Sequence, residues 1–85
     1  MTAQDLATRY EPNPFQALAH AIILQAVNDY RHALDRLKRN PLSVEANNEA
    51  TLIEKFLRSE RYKIFTSVSG DYLIHKLRKE KGFKS

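Results

Sequence analysis

The chain has 85 residues, with no cysteine, no tryptophan, two glycines and three prolines. Without cysteine, neither a disulfide nor a thiolate metal site can stabilise the fold. A chain of this length forms one domain and buries only about 60% of its unfolded surface. We therefore expect a thin core, of the kind that partner chains often complete.

Long apolar runs are also absent. The most apolar stretch, residues 15–27, contains three polar residues and is shorter than the roughly 18–20 residues of a membrane span. Residues 1–14 contain acids and two prolines, whereas a secretory signal has a basic segment followed by an apolar run. The sequence predicts a cytoplasmic protein with no membrane partner.

Patterns that carry catalysis or hold metal ions are missing too. His20 and His32 lie twelve residues apart, about 18 Å along one helix, so they cannot bind the same ion. Gly70 and Gly82 are too far apart to form a phosphate-binding loop. We expect no enzyme activity, and no catalytic, metal or cofactor site. A small-molecule substrate is not expected either.

Proline and capping residues divide the chain into helices. Asn13 can cap a helix that starts at Pro14, and Pro41 disfavours helical geometry before it, so this helix should end near Arg39. Ser43 is a favoured cap for a second helix. The apolar pattern loses register at residues 59–61 and then resumes, as a short separate helix or a bent continuation.

The last helix is predicted between a serine cap and a glycine stop. Ser69 can cap its start, and Gly82 suits a left-handed C-terminal cap from which Phe83 folds back onto Leu77. The residues assigned to its buried side are Tyr72, Leu73, Ile74 and Leu77.

No segment alternates between apolar and polar residues over five or more positions, so no sheet is predicted. The expected fold is all-α: a small helical bundle with one long N-terminal helix and two to three shorter helices. Residues 1–12 are predicted to be a loosely ordered arm, and residues 13–85 a single helical domain.

Charged residues spaced three or four apart can pair within a helix. Arg31 with Asp35 and Glu54 with Arg58 have this spacing. The acids interpreted mostly as a solvated helix face are Glu45, Glu49, Glu54 and Glu60.

Charge is distributed unevenly along the chain. Residues 1–30 contain one Lys/Arg against three Asp/Glu, a net charge of −2, while residues 31–85 contain 13 against seven, a net charge of +6. A basic segment that follows a helix–turn–helix outline can contact a polyanion, although such residues can also be a solvated face. The nucleic-acid-binding candidates are Lys55, Arg58, Arg61, Lys63, Lys76, Arg78, Lys79 and Lys81.

The first half of the long helix is apolar nearly all round. Its apolar side chains cannot share one face, and a helix of this kind has to be covered on every side. A homodimer or another partner is therefore expected. The candidates for an oligomer interface are Phe15, Leu18, Ile22, Ile23, Leu24 and Val27.

Three segments carry a family resemblance: AVNDYRHAL at residues 26–34, IEKFLRS at 53–59 and GDYLIHKLRKE at 70–80. With this spacing, the chain resembles small all-helical proteins encoded by phages and integrated mobile elements of Gram-positive bacteria. The resemblance implies a mobile-element origin and an all-helical fold, and it implies no particular activity.

Three functions remain open at this point. The first is a non-enzymatic module that contacts nucleic acid or a nucleoprotein through its basic C-terminal half. The second is a phage-borne inhibitor of a host enzyme or defence complex, of the anti-CRISPR kind, whose positive charge argues against imitation of DNA. The third is a homo-oligomeric structural protein. The visible charge asymmetry favours the first.

Overall fold

The computed structural model describes residues 14–83, which are 81% helical and contain no strand. The predicted all-α bundle with a long first helix is confirmed. The helices of this part of the chain are α1 (Pro14–Arg39), α2 (Val44–Leu57), α3 (Glu60–Phe65) and α4 (Gly70–Glu80). The predicted arm of residues 1–12 and the predicted cap Asn13 lie outside the described residues.

Serine hydroxyls fix the starts of the three shorter helices. Ser43, Ser59 and Ser69 each accept a hydrogen bond of 3.2 Å from the backbone N–H of the residue three positions later. These bonds satisfy N–H groups that would otherwise lack a partner at a helix start. The caps Ser43 and Ser69 were predicted, and the break after α2 proves to be a separate helix with its own cap.

The end of α4 has the predicted glycine stop. Gly82 has φ of 86°, and the N–H of Phe83 donates to the carbonyl oxygen of Arg78 at 2.8 Å. Phe83 packs against the core, and its ring centroid lies 4.9 Å from Lys38 Nζ and 5.1 Å from Arg78 Cζ. The turn therefore returns the chain to the bundle.

The core lies between the C-terminal half of α1 and the shorter helices. α1 and α2 run antiparallel, because Tyr30 meets Glu54 while Arg36, further along α1, meets the earlier Glu45. The core side chains are Tyr30, Ala33, Leu34, Leu37, Ala46, Ala50, Leu57, Tyr62, Ile74 and Leu77.

The N-terminal half of α1 is covered far less. Between residues 14 and 29 only Ala19 is buried. α3 packs on this half, where the rings of Phe15 and Phe65 lie 6.2 Å apart. One side of the helix is therefore supported by the bundle, and other sides face solvent.

Tyr72 was predicted on the buried side of α4, but it is 56% exposed. Ile74 and Leu77 are the buried residues of this helix. At 100° per residue, Tyr72 is rotated 200° from Ile74 and 140° from Leu77. It therefore projects from the opposite face.

Two expectations about charges were also wrong. Arg31 pairs with Glu80 of α4 and Asp35 pairs with Lys81, so the predicted pair within α1 does not form. Glu54 is not on a solvated face, since its side chain is only 23% exposed. In each case a helix packed alongside supplies a partner that the local spacing does not reveal.

Candidate nucleic-acid interface

Half of the predicted nucleic-acid-binding cations form ion pairs within the domain. Arg58 Nε lies 2.7 Å from Asp71 Oδ1, which joins the end of α2 to the start of α4. Its hydrogen bond to Asp71 lowers the pKa of that carboxyl group and raises the pKa of the guanidinium. The other paired candidates are Lys63, Arg78 and Lys81, with Glu60, Glu54 and Asp35 respectively.

Glu54 lies at the centre of a partly buried polar cluster. The Tyr30 hydroxyl donates a 2.5 Å hydrogen bond to Glu54 Oε2, and Arg78 and Arg58 lie 3.5 and 3.6 Å from the carboxylate. The pKa of Tyr30 is raised to about 12, mainly by burial and next by the hydrogen bond to Glu54. The cluster connects α1, α2 and α4, so its cations have a structural role.

The remaining four candidates have no acidic partner within ion-pair distance among residues 14–83. They are Lys55, Arg61, Lys76 and Lys79. The fold does not place all four on one element: Lys55 is on α2, Arg61 is on α3, and Lys76 and Lys79 are on α4.

Lys76 and Lys79 belong to an exposed stripe on α4. With Tyr72 and His75 they occupy positions i, i+3, i+4 and i+7, which lie on one helix face. These four side chains line a shallow hollow of about 300 Å³. Lys76 Nζ lies 5.7 Å from the centroid of the Tyr72 ring, within the range of a cation–π contact. We call this surface the α4 stripe.

The acids near the α4 stripe are engaged elsewhere. Glu80 accepts hydrogen bonds of 2.8 and 3.2 Å from Arg31, and Asp71 accepts one from Arg58. The bond from Arg31 also lowers the pKa of Glu80. Each acid is therefore paired with an arginine from outside α4, and neither Lys76 nor Lys79 forms an ion pair with it.

Sequence reasoning missed two members of the α4 stripe, Tyr72 and His75. Tyr72 was assigned to the core, and His75 was not among the predicted binding residues. The signal that could have found them is the spacing of Tyr72, Lys76 and Lys79, which places an aromatic ring and two cations on the face opposite Ile74.

The predicted oligomer-interface residues separate into two groups. Ile22, Ile23 and Val27 are half-buried, and the last two pack against the core. The exposed members are Phe15, Leu18 and Leu24, with 53%, 60% and 50% of their surface accessible.

An apolar groove lies between α1 and the end of α3. It has a volume of about 270 Å³, and its lining includes Phe15, Ala19, Ile23, Leu24 and Phe65. Its polar lining residues are Gln16, His20 and Thr66. The groove thus contains three of the six predicted interface residues, while Leu18, Ile22 and Val27 lie outside it.

The structure was also searched for a metal site and for a membrane-spanning helix, and the chain was compared with known proteins. Residues 14–83 contain no cluster of three His, Cys, Asp or Glu side chains that could hold a metal ion. No helix among them has the length and apolar character needed to cross a membrane. In comparisons with known proteins, no family model, no curated protein and no solved structure matches this chain.

Proposed function

We propose that the protein is a non-enzymatic nucleic-acid-binding module that contacts single strands through the α4 stripe. The observation that carries this proposal is the exposed Tyr72 ring beside two lysines that have no acidic partner in residues 14–83. Proteins that bind single strands combine cations that contact phosphates with aromatic rings on which bases stack. The α4 stripe offers both on about 10 Å of helix.

The charges of the neighbouring surface support the same function. Phosphates are contacted by cations, and neither Lys76 nor Lys79 forms an ion pair with an acid within residues 14–83. Arg58 and Arg78, in contrast, would have to leave Asp71 and Glu54 first. The proposed contact therefore uses fewer residues than the eight cations identified from sequence.

The mobile-element origin implied by the resemblance also remains a proposal, and it is compatible with such a module.

A contact with two phosphates predicts a modest salt dependence. For single strands the slope of log K against log salt is about −0.7 per phosphate, so affinity should fall about sevenfold between 50 and 200 mM salt. Fluorescence anisotropy with a labelled single-stranded DNA, the matching RNA and the duplex measures this directly.

Two variants test the α4 stripe against the rest of the basic surface. Lys76→Gln with Lys79→Gln should remove most of the binding and its salt dependence. Lys55→Gln with Arg61→Gln removes the same charge from α2 and α3, and should leave the affinity within about twofold. Tyr72→Leu should weaken binding by about 1–3 kcal/mol for each base that stacks on the ring.

The proposal fails if no nucleic acid binds at 50 mM salt, or if both double variants weaken binding equally. Absence of binding would leave a protein ligand, as in the inhibitor hypothesis, as the better explanation. Equal weakening would mean that affinity follows net charge alone.

A further inference from the structure

His75 lies within the α4 stripe but has no part in the proposed contact of the two lysines with phosphates. Its side chain is exposed and lines the shallow hollow together with Tyr72, Lys76 and Lys79. Lys76 is the next residue, and Lys79 follows one helical turn later, about 6 Å along the axis. Among residues 14–83, no acidic side chain lines this hollow. The imidazole is therefore placed beside both cations.

We infer that protonated His75 is a third phosphate contact of the α4 stripe, so that acid strengthens the binding of single strands. This inference rests on the proposed nucleic-acid function and adds a residue and a pH dependence to it. Histidine is the side chain whose charge ordinarily changes between pH 5 and 8. Above this range the stripe offers two cations, and below it three. A phosphate bound beside His75 favours the protonated imidazole, because an opposite charge within about 4–6 Å stabilises the charged form.

The acid nearest to His75 along α4 is Asp71, one helical turn earlier. Asp71 accepts a hydrogen bond of 2.7 Å from Arg58, at the end of α2. This bond lowers the pKa of Asp71 below its ordinary value of 3.8, so the carboxylate keeps its charge between pH 5 and 8. A change in binding over this pH range is therefore not explained by Asp71.

The neighbouring helices do not supply a titrating group to the stripe. The other two described histidines, His20 and His32, both lie on α1 and do not line the hollow. The titratable and charged groups that α1, α2 and α3 present near α4 are each held by a hydrogen bond or an ion pair, and none of them lines the hollow. They are Tyr30, Arg31, Asp35, Lys38, Glu54, Arg58 and Lys63.

The salt dependence of binding reports the number of phosphate contacts. With a slope of about −0.7 per phosphate, three contacts predict an about eighteenfold loss of affinity between 50 and 200 mM salt, against about sevenfold for two. The wild type should show the larger loss at pH 5.5 and the smaller loss at pH 8. At 50 mM salt its affinity should be higher at pH 5.5, by at most about tenfold per pH unit, because one proton is taken up.

Fluorescence anisotropy with a labelled oligothymidylate, whose bases do not titrate between pH 5 and 8, measures these changes. His75→Gln should show the about sevenfold loss at both pH values, because it cannot become charged. His75→Lys carries a permanent charge and should show the about eighteenfold loss at both. The matched control His32→Gln removes an exposed histidine of α1, outside the hollow, and should keep the pH dependence of the wild type.

The outcomes separate this inference from the function on which it rests. Lysine-dependent binding that is equal at pH 5.5 and 8 overturns the role of His75 and leaves the contact of the two lysines intact. A pH effect that persists in His75→Gln, or that disappears in His32→Gln, also overturns it, because another group then takes up the proton. Absence of binding at both pH values overturns the inference together with the proposed function. Circular dichroism at both pH values shows whether each variant is folded.

Discussion

Two buried tyrosines differ in what their hydroxyl groups contact. Tyr30 donates to the carboxylate of Glu54, whereas Tyr62 has no hydrogen-bond partner for its hydroxyl within residues 14–83. A hydrogen bond to a charged group contributes about 1.5–3 kcal/mol, and a buried hydroxyl without a partner is destabilising. Replacement by phenylalanine should therefore lower the stability of the fold at Tyr30 but not at Tyr62.

We predict that Tyr30→Phe lowers the free energy of unfolding by about 1.5–3 kcal/mol. Tyr62→Phe, the matched control, should leave this free energy unchanged or raise it. Urea unfolding at pH 7, followed by circular dichroism, gives both values. Equal losses in the two variants would show that the bond to Glu54 has no special role.

Alkaline pH provides a second test of Tyr30. Its folded-state pKa of about 12 exceeds the ordinary value of 10.0. The stabilisation linked to this shift is complete below pH 10 and is lost as pH rises from 10 through 12. The difference in stability between the wild type and Tyr30→Phe should therefore shrink over this range. A constant difference would mean that the tyrosine ionises equally in the folded and unfolded states.

The contact between α2 and α4 depends on the absence of a side chain at Gly70. A Cβ atom at this position would lie 1.7 Å from the carbonyl oxygen of Leu57, far inside van der Waals contact. The first residue of α4 therefore lies directly against the backbone at the end of α2. Any larger residue forces the two helices apart.

Gly70→Ala should accordingly destabilise the fold by more than about 3 kcal/mol, although alanine favours helix by about 1 kcal/mol over glycine. The control is Gly82→Ala, where φ of 86° disfavours alanine but the nearest contact is the flexible end of Lys38 at 3.2 Å. Gly82→Ala should lower the free energy of unfolding by about 1–2 kcal/mol. Thermal unfolding of both variants shows which one is less stable. A Gly70→Ala protein as stable as the wild type would contradict the close contact.

The boundaries of the helices could be predicted from single residues. Proline at 14 and 41, serine at 43 and 69 and glycine at 82 act through local geometry and hydrogen bonds, which the sequence displays directly. Ion pairs such as Arg31 with Glu80 join residues 49 positions apart. They depend on how the helices pack, so local spacing could not identify them.

The candidate site was predictable only in part. The basic segment was visible in the sequence, but Arg58, Lys63, Arg78 and Lys81 proved to be paired within the domain. The outward position of Tyr72 follows from its angle to Ile74, and this required knowing which residue of α4 defines the buried face. The sequence also predicted a partner for the first half of α1, and this stays a prediction; among the described residues, only Ala19 is buried in this half.

Across the whole molecule, α4 is attached to the other helices by exposed ion pairs. Arg31 binds Glu80 and Arg58 binds Asp71. Hydrogen bonds from these arginines lower the pKa of both carboxyl groups below their ordinary values of 4.5 and 3.8. A lowered folded-state pKa stabilises the fold above the ordinary value, and this stabilisation is lost as pH falls through the folded pKa.

We therefore predict that the melting temperature falls progressively as pH is lowered from about 5 to 2. The double variant Glu80→Gln with Asp71→Asn should start from a lower melting temperature at pH 7 and change less in acid. Circular dichroism melting curves across this pH range measure the effect. An identical acid dependence in the wild type and the variant would assign the loss to other carboxyl groups.

The unequal cover along α1 divides one continuous helix into parts that should open independently. Backbone amides near Leu34 and Leu37 lie in the core and should exchange with deuterium only when the whole domain unfolds. Amides near Leu18 and Leu24 lack this cover and should exchange through local fraying. Slower exchange confined to the first half of the helix would therefore report any partner that occupies it, whatever the chemistry of that partner.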